Sequence, residues 1–360
     1  MKKITKLLAT VMCGLLACIV LVGCQSNNSS SSSSSNNSSE QLEEKVVVYS
    51  THPEKLLTQV ADAFKAETGV EVEFINLKGS LADRIKSEKA NPQADVMYGG
   101  STTVFTELAK EDCFEATSPS WASELESEYK DSSGKWYATI KTPIMMFYNT
   151  EMMSEADAPK NYKDLSDSKY ANNVVTRDNN SSSQREWICN MIYTLSNNGS
   201  DMNTAQTWLN GLATNTKSYY NSGSMMFKAV GNKEAAIGVS TLNDIQDNKT
   251  KNSLPLQEID SSDGNVVALD CVAALKGAQH SKAAAKFVEF CGRADIAAKL
   301  ATDQSRIPTL KSALKDSPSW MQTDIKMMTT DTDAVASKQS EWLELWNNSA
   351  YDSSKVIASS

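Results

Sequence analysis

An α/β architecture of two lobes, each a mostly parallel sheet flanked by helices, follows from three observations. Strand-like and helix-like segments alternate from Lys45 onward. The strand candidates are short, nearly continuous apolar runs, as in sheets covered on both faces. More than three hundred residues remain after a polar N-terminal stretch, more than one hydrophobic core usually fills.

The elements read in order. Val46 to Tyr49 is a β-branched run and therefore a buried strand. Pro53 suits a first helical turn and Glu54 complements its dipole. Leu56, Leu57, Val60, Ala61 and Phe64 then share one helical face, and Gly69 marks the stop. Val70, Val72 and Phe74 alternate as a second strand. Ser80 followed by Asp83 opens another helix with a capping-box pattern. "ADVMYGG" is a third strand and "STTVFTELAK" a third helix, an alternation that predicts a parallel sheet. Further along, Ile144 to Tyr148 is a strand. Val174-Val175 is another, handing over at Arg177 to Ser182 to a helix from Ser183 to Leu195. "NTAQTWLNGLA" is helical, and "SYYNSGSMMFKAV" turns into a helix, its Tyr219 and Tyr220 read either as metal ligands or as exposed loop anchors. "EAAIGVSTLNDI" and "NVVALDCVAAL" are strands, "SKAAAKFVEFCG" is an amphipathic helix, and the helical tail carries Trp342 and Trp346. The pairs Met145-Met146, Met225-Met226 and Met327-Met328 read as core filling.

The N-terminus is a targeting device. Lys2, Lys3 and Lys6 precede an apolar run from Leu7 to Val22, flanked as a signal peptide is. Leu21-Val22-Gly23-Cys24 resembles the lipobox of bacterial lipoproteins, which implies cleavage after residue 23 and lipidation of Cys24. Residues 24–44 are then the lipidated cysteine and a Ser/Asn-rich tether, in which Gln25 to Ser39 is almost pure Ser and Asn with nothing apolar to bury. This places the folded part on the extracellular face of a bacterial membrane, touching it through the lipid alone.

Loss of the three leader lysines takes the formal charge from −9 to about −12, a surface unsuited to nucleic acid. Cys113, Cys189, Cys271 and Cys291 remain in the mature chain, each in an apolar context that suits a buried free thiol; their spacing offers no CxxC or CxxH metal pair. Catalysis lacks its parts. The chain holds two histidines, His52 and His280, and no GxSxG, HExxH or P-loop pattern. Ser101 and His52 could be imagined as a pair, but no third, orienting group accompanies them. No cofactor is implied.

Ligands of open α/β sheets bind beyond the carboxyl ends of the strands. Those ends read Ser50-Thr51-His52, Lys78-Gly79-Ser80 and Gly99-Gly100-Ser101-Thr102, each leading into a helix start with unpaired N–H groups. Ser240 and Thr241 end a later strand in the same way. Any one such turn equally reflects the ordinary N-cap preference of Ser and Thr; several converging on one edge point to a binding site. Arg177, with Ser182 and Ser183 above the helix that begins there, adds a fixed positive charge. It serves either an anion or a salt bridge to Asp178 or Glu186. Asp244 and Asp270 are candidates for a hydroxyl or amine of the same ligand, or ordinary caps.

Taken together, the lipobox, "VVVYSTHPEKLLTQVADAFKAETGVEVEF", "ADVMYGG", "KEAAIGV" and "SKAAAKFVEFCG" resemble an extracellular solute-binding protein of an ABC importer. The resemblance lies in the branch that includes proteins binding ferric iron, hexose phosphates, phosphoglycerate and aminoethylphosphonate. It implies a type II periplasmic-binding-protein fold with ligand in the interlobe cleft, residues 45–143 plus 264–300 forming one lobe and 144–263 plus 301–360 the other. It also implies a monomer that closes on its solute and is recognised by an ABC permease, or by a membrane sensor. Iron binders of this branch use a histidine, an acid and paired tyrosines. Here His52 is offset by one position, Gly100 stands at the acid's place, and Ser240-Thr241-Leu242 stands where the tyrosines fall. The family places anion contacts at the turn of Arg177, so the expected solute is a small phosphorylated or phosphonate anion, with ferric iron the alternative.

Overall fold

Parallel pairing places β1 (Lys45–Ser50) between β2 (Glu71–Asn76) and β3 (Val96–Tyr98), a computed structural model describing residues 41–77 and 81–358. The leader, Cys24, nearly all of the tether and Ser80 lie outside the described residues. α1 (Glu54–Thr68) buries Leu56, Leu57, Val60 and Phe64 and ends on Gly69 at φ 76°, whose N–H bonds the carbonyl of Lys65. That left-handed cap is the conformation glycine adopts without strain. α2 (Leu81–Glu88) leads into β3, which is followed by α3 (Thr102–Lys110) and the short β4 (Phe114–Glu115).

β5 (Tyr137–Asn149) is one strand of 13 residues, longer than its apolar end predicts. The second half of the chain continues with β6 (Val174–Arg177), α4 (Ser182–Leu195), α5 (Met202–Asn215), β7 (Thr216–Tyr220), α6 (Gly223–Gly231), β8 (Ile237–Thr241), α7 (Leu242–Thr250) and β9 (Leu256–Ile259). β10 (Val266–Leu275) returns antiparallel to β5, from Val266 opposite Ile144 to Val272 opposite Tyr137, with an irregularity between Asp270 and Cys271. α8 (Ser281–Cys291), α9 (Ala294–Gln304), β11 (Ile307–Pro308), α10 (Lys311–Leu314), α11 (Thr332–Ser349) and β12 (Val356–Ile357) complete it. The strand order is β12-β7-β6-β8-β5-β10-β3-β1-β2. The lobes therefore share β5 and β10, each strand pairing in one lobe with one half and in the other with the rest.

Each lobe has its own core. In the first, Phe64 meets Phe287 and Phe290 edge-on at 5.1 and 5.2 Å between ring centres. In the second, successive residues of β5 serve opposite faces, as strand geometry requires. Ile144 and Met146 join Trp187, Trp208, Trp342 and Trp346, while Met145 and Phe147 join Met226, Phe227 and Ile245. Residues 301–313 divide between lobes, Ala301 and Ile307 packing with the second and Leu310 and Ala313 with the first.

Three expectations are corrected. Tyr219 and Tyr220 are not exposed loop anchors: they are buried in β7, with Tyr219 against Tyr351 at 4.6 Å. Met327 is not core filling but exposed, whereas Met328, half-buried, packs against the second lobe's core. The segment after Thr241 is a helix of its own, α7, not the end of a strand. Cys113, Cys189, Cys271 and Cys291 are buried free thiols. No helix among the described residues is long and apolar enough to cross a membrane.

Two local networks matter below. At the start of β3, buried Asp95 accepts the Val47 N–H at 2.8 Å and the His280 N–H at 2.9 Å, and pairs with His280 Nδ1 at 2.8 Å. Just before β10, Gly264 at φ 91° lies so close to the backbone of Met327 and Met328 that a Cβ there would sit 2.5 Å from the Met327 carbonyl oxygen. Asn265 then exchanges backbone bonds with Lys326 and Met328, and its side chain binds Asp260, Lys326 and Tyr162.

Candidate functional site

The carboxyl ends of β1 and β3 meet through two glycines. Gly99 and Gly100 have φ of 91° and 118°, and a Cβ on Gly99 would fall 2.8 Å from the His52 ring. Glycine here lets the backbone lie against the imidazole and alongside β10, where the Gly99 N–H reaches the Cys271 carbonyl at 2.7 Å. The Gly100 N–H donates to Asp270 Oδ1 at 3.2 Å. Thr51, His52 and Asp270 are thus brought together. Burial holds the His52 imidazole below its ordinary value; Asp270 pulls it up and Arg306 pushes it down. Its Nε2 is buried without a partner.

Across the cleft, Thr241 caps α7 and its Oγ1 is buried without a properly formed hydrogen bond, although it lies close enough to Asp244 to ease that carboxylate's charge. Burial raises Asp244 above the usual carboxylate range, partly offset by Thr241, Arg306 and Arg177. Arg177 pairs with neither Asp178 nor Glu186. Its Nε donates to the Tyr220 carbonyl at 3.1 Å and Nη2 to the Asn221 carbonyl at 2.9 Å, tying β6 to the end of β7. Arg177 is thus partly spent on the fold.

The remaining expected residues spread out. Ser50 is fully buried: its Oγ donates to the Tyr98 carbonyl at 2.5 Å and accepts the His52 N–H at 3.0 Å, shaping the turn. Ser240 is buried within β8 opposite Met145. Ser101 begins α3 with no side-chain cap bond. Ser181, not Ser182, caps α4, sharing a contact of 3.1 Å with Ser183, while Ser182 is exposed.

The group that sequence reasoning missed is Arg306. The left-handed turn at Ser305, φ 54°, ends α9 and launches Arg306 into β11 beside β5. Ser305 Oγ donates to Asp247 of α7 at 2.9 Å and Gln304 reaches Gln59 of α1 at 2.6 Å, so this turn is held by both lobes. The guanidinium acts electrostatically on His52 and Tyr98 from one side and Asp244 from the other. Yet its side chain forms no hydrogen bond or ion pair among the described residues, and its Nε is buried without a partner. Buried polar atoms are nearly always paired. Here His52 Nε2, Thr241 Oγ1 and Arg306 Nε are all unpaired, and Arg306 couples electrostatically to His52 in one lobe and to Asp244, beside Thr241, in the other.

A separate cavity of about 440 Å³ opens on the α3 side. Thr102, Thr103 and Thr106 of α3 face Glu186 and Asn190 of α4 across it, with Val266 and Leu269 of β10 and the 327–330 segment completing the wall. Leu269 and Asp270, adjacent on β10, have opposite surroundings: Leu269 lines this cavity and Asp270 belongs to the His52 cluster. Of the expected residues only Thr102 lines it.

Residues 91–337 match the family described as bacterial extracellular solute-binding protein. The chain is 29% identical over 310 residues to a Sinorhizobium fredii protein named a probable ABC transporter periplasmic-binding protein, covering 83% of this chain and 84% of the relative. It is 25% identical over 256 residues to the major ferric iron-binding protein of Neisseria meningitidis serogroup B, covering 68% of this chain and 75% of that one. The solved structure of the periplasmic binding protein AfuA from Actinobacillus pleuropneumoniae, with fructose-6-phosphate bound, superposes with a TM-score of 0.68 at 21% identity, over 85% of this chain and 98% of AfuA.

Proposed function

The chain belongs to the bacterial extracellular solute-binding proteins, and on that premise we propose that it captures a small phosphorylated or phosphonate anion between its lobes for delivery to the permease of an ABC importer. Arg306 carries this reading. A guanidinium held between two lobes with no carboxylate partner is matched in charge and shape by a phosphate or phosphonate head group, which it can bind through two parallel N–H bonds. The hydroxyl of Thr241 and the N–H groups at the starts of α3, α4 and α7 supply further donors. A neutral His52 offers one more polar contact without adding charge. Capture and release involve no bond-making, in keeping with a family of transport components. We place the closing motion where β5 and β10 pass between lobes, near residues 143 and 264, with a third crossing after residue 300, and we place the mature N-terminus on a lipidated Cys24.

The relative from Neisseria keeps ferric iron in view. Against it stand Gly100, Thr241 and Leu242 in place of anionic ligands, and two tyrosines buried in β7. Titration calorimetry of the purified protein with fructose 6-phosphate, 3-phosphoglycerate, 2-aminoethylphosphonate, inorganic phosphate and ferric citrate decides. The expected result is binding of a phosphorylated or phosphonate compound but not of its dephosphorylated form, weakened about 100-fold, or about 2.7 kcal/mol, by Arg306→Ala. Binding of ferric ion alone would overturn the reading. Loss of uptake of that compound in a deletion strain checks delivery to an importer and not to a sensor.

A further inference from the structure

We infer that the cavity between α3, α4 and α11 is a second recognition site, built for the positively charged nitrogen of a small organic cation, with Glu186 as its counter-ion. The inference rests on capture between the lobes, but not on Arg306, which is not part of this cavity wall.

The walls come from both lobes, since α3 packs in the first core and α4 and α11 in the second. Three charged side chains line the space: Glu128, Lys130 and Glu186. Lys130 Nζ donates to the Ala122 carbonyl at 2.7 Å, so its charge is engaged by its own lobe. Glu128 is exposed and accepts from Ser127 at 3.2 Å. Glu186 forms no ion pair among the described residues, and its carboxylate has only Asn190 Nδ2, at 3.5 Å. Burial raises it above the usual carboxylate range, as expected of an acid whose counter-charge is missing.

The remaining lining suits an organic cation better than a metal ion. Trp136 and Tyr129 contribute aromatic rings, Met327 and Met328 thioethers, and the threonines hydroxyls. Aromatic rings beside a carboxylate attract ammonium and quaternary nitrogen through ring quadrupole and charge together. Trp136 is 7% exposed and its Nε1 has no partner, a buried donor that an oxygen of the same guest can satisfy. Tyr129 cannot play that part, because its hydroxyl already donates to Met327 Sδ at 3.1 Å. That contact and the ion pair of Lys110 with Asp333, at 2.7 Å, link the segments that frame the cavity.

The test is titration calorimetry of the purified protein with choline, thiamine and putrescine, run beside the anion panel. Saturable binding of at least one cation is expected, weakened ten-fold or more by Glu186→Gln, which keeps the side chain's shape and its Asn190 contact. Trp136→Phe should weaken the same cation several-fold, a second reading should Glu186→Gln fold poorly. Cation binding that survives both substitutions overturns the inference. If an anion binds and no cation does, the inference falls while the anion reading stands; if a cation binds and no anion does, the anion reading falls and this one stands.

Discussion

The chain contains two histidines, and they sit at opposite edges of the first lobe's sheet. At the amino edge, His280 Nδ1 pairs with Asp95, and both Asp95 carboxylate oxygens also accept a backbone N–H. At the carboxyl edge, His52 lies under Gly99 with Nε2 unpaired, near an acid and an arginine that do not neutralise each other. The same residue type does two jobs. Saturated polar groups hold the fold, whereas the unpaired Nε2 leaves His52 free to meet a guest in the proposed capture.

The largest effect should come from the saturated edge. Asp95→Ala strips the partners from the Val47 and His280 N–H groups and should cost about 3 kcal/mol of stability in a urea titration, with little effect on solute affinity in the molecules that remain folded. Next comes Arg306→Ala, whose loss should appear mostly in affinity, because the guanidinium makes no hydrogen bond or ion pair among the described residues; a large loss of stability there would break the contrast. Arg177→Ala falls between the two. Its bonds to Tyr220 and Asn221 predict a stability loss of about 1 kcal/mol beside an affinity loss nearer ten-fold, and a variant of unchanged stability would show those bonds to be idle.

The smallest effect is in pH. Burial depresses the folded-state pKa of His52 below its ordinary value of 6.5, so between those two values the unfolded chain holds more protons than the folded one. Stability should therefore rise as pH climbs through that window and level off above 6.5. His52→Asn should flatten that rise, seen as a smaller difference between urea midpoints at pH 5 and pH 7. An equal slope in both proteins would place the sensitivity elsewhere.

Much of the fold was legible because its signals are local. Pro53 and Gly69 bound α1, the alternation of strand and helix gives the parallel order, and Ser181 to Ser183 announce the start of α4. Glycine and hydroxyl residues at strand ends pointed to the edge where Thr51, His52, Gly99, Gly100 and Asp270 come together. What was missed depends on distant parts of the chain. Tyr219 and Tyr220 are buried because β12 and Tyr351, more than a hundred residues later, come to cover β7. Arg306 stands in "DQSRIP", which reads as the polar end of a helix. Only the crossing of β11 beside β5 carries it between the lobes. Ser50 and Ser240 misled because a hydroxyl near a strand's end faces inward as readily as out, and both are buried.

The knot at Asn265 limits how the two lobes can move. It staples the returning strand β10 to the chain segment at Lys326 to Met328, with Gly264 pressed against the same backbone. Met328 packs against the second lobe's core, so these bonds tie the entry of β10 to that lobe. Any bend of β10 between the lobes falls beyond that anchor, between Val266 in the second core and Leu269 in the first. The entry of β10 therefore moves with the second lobe as one piece, whatever the chemistry of the guest inside.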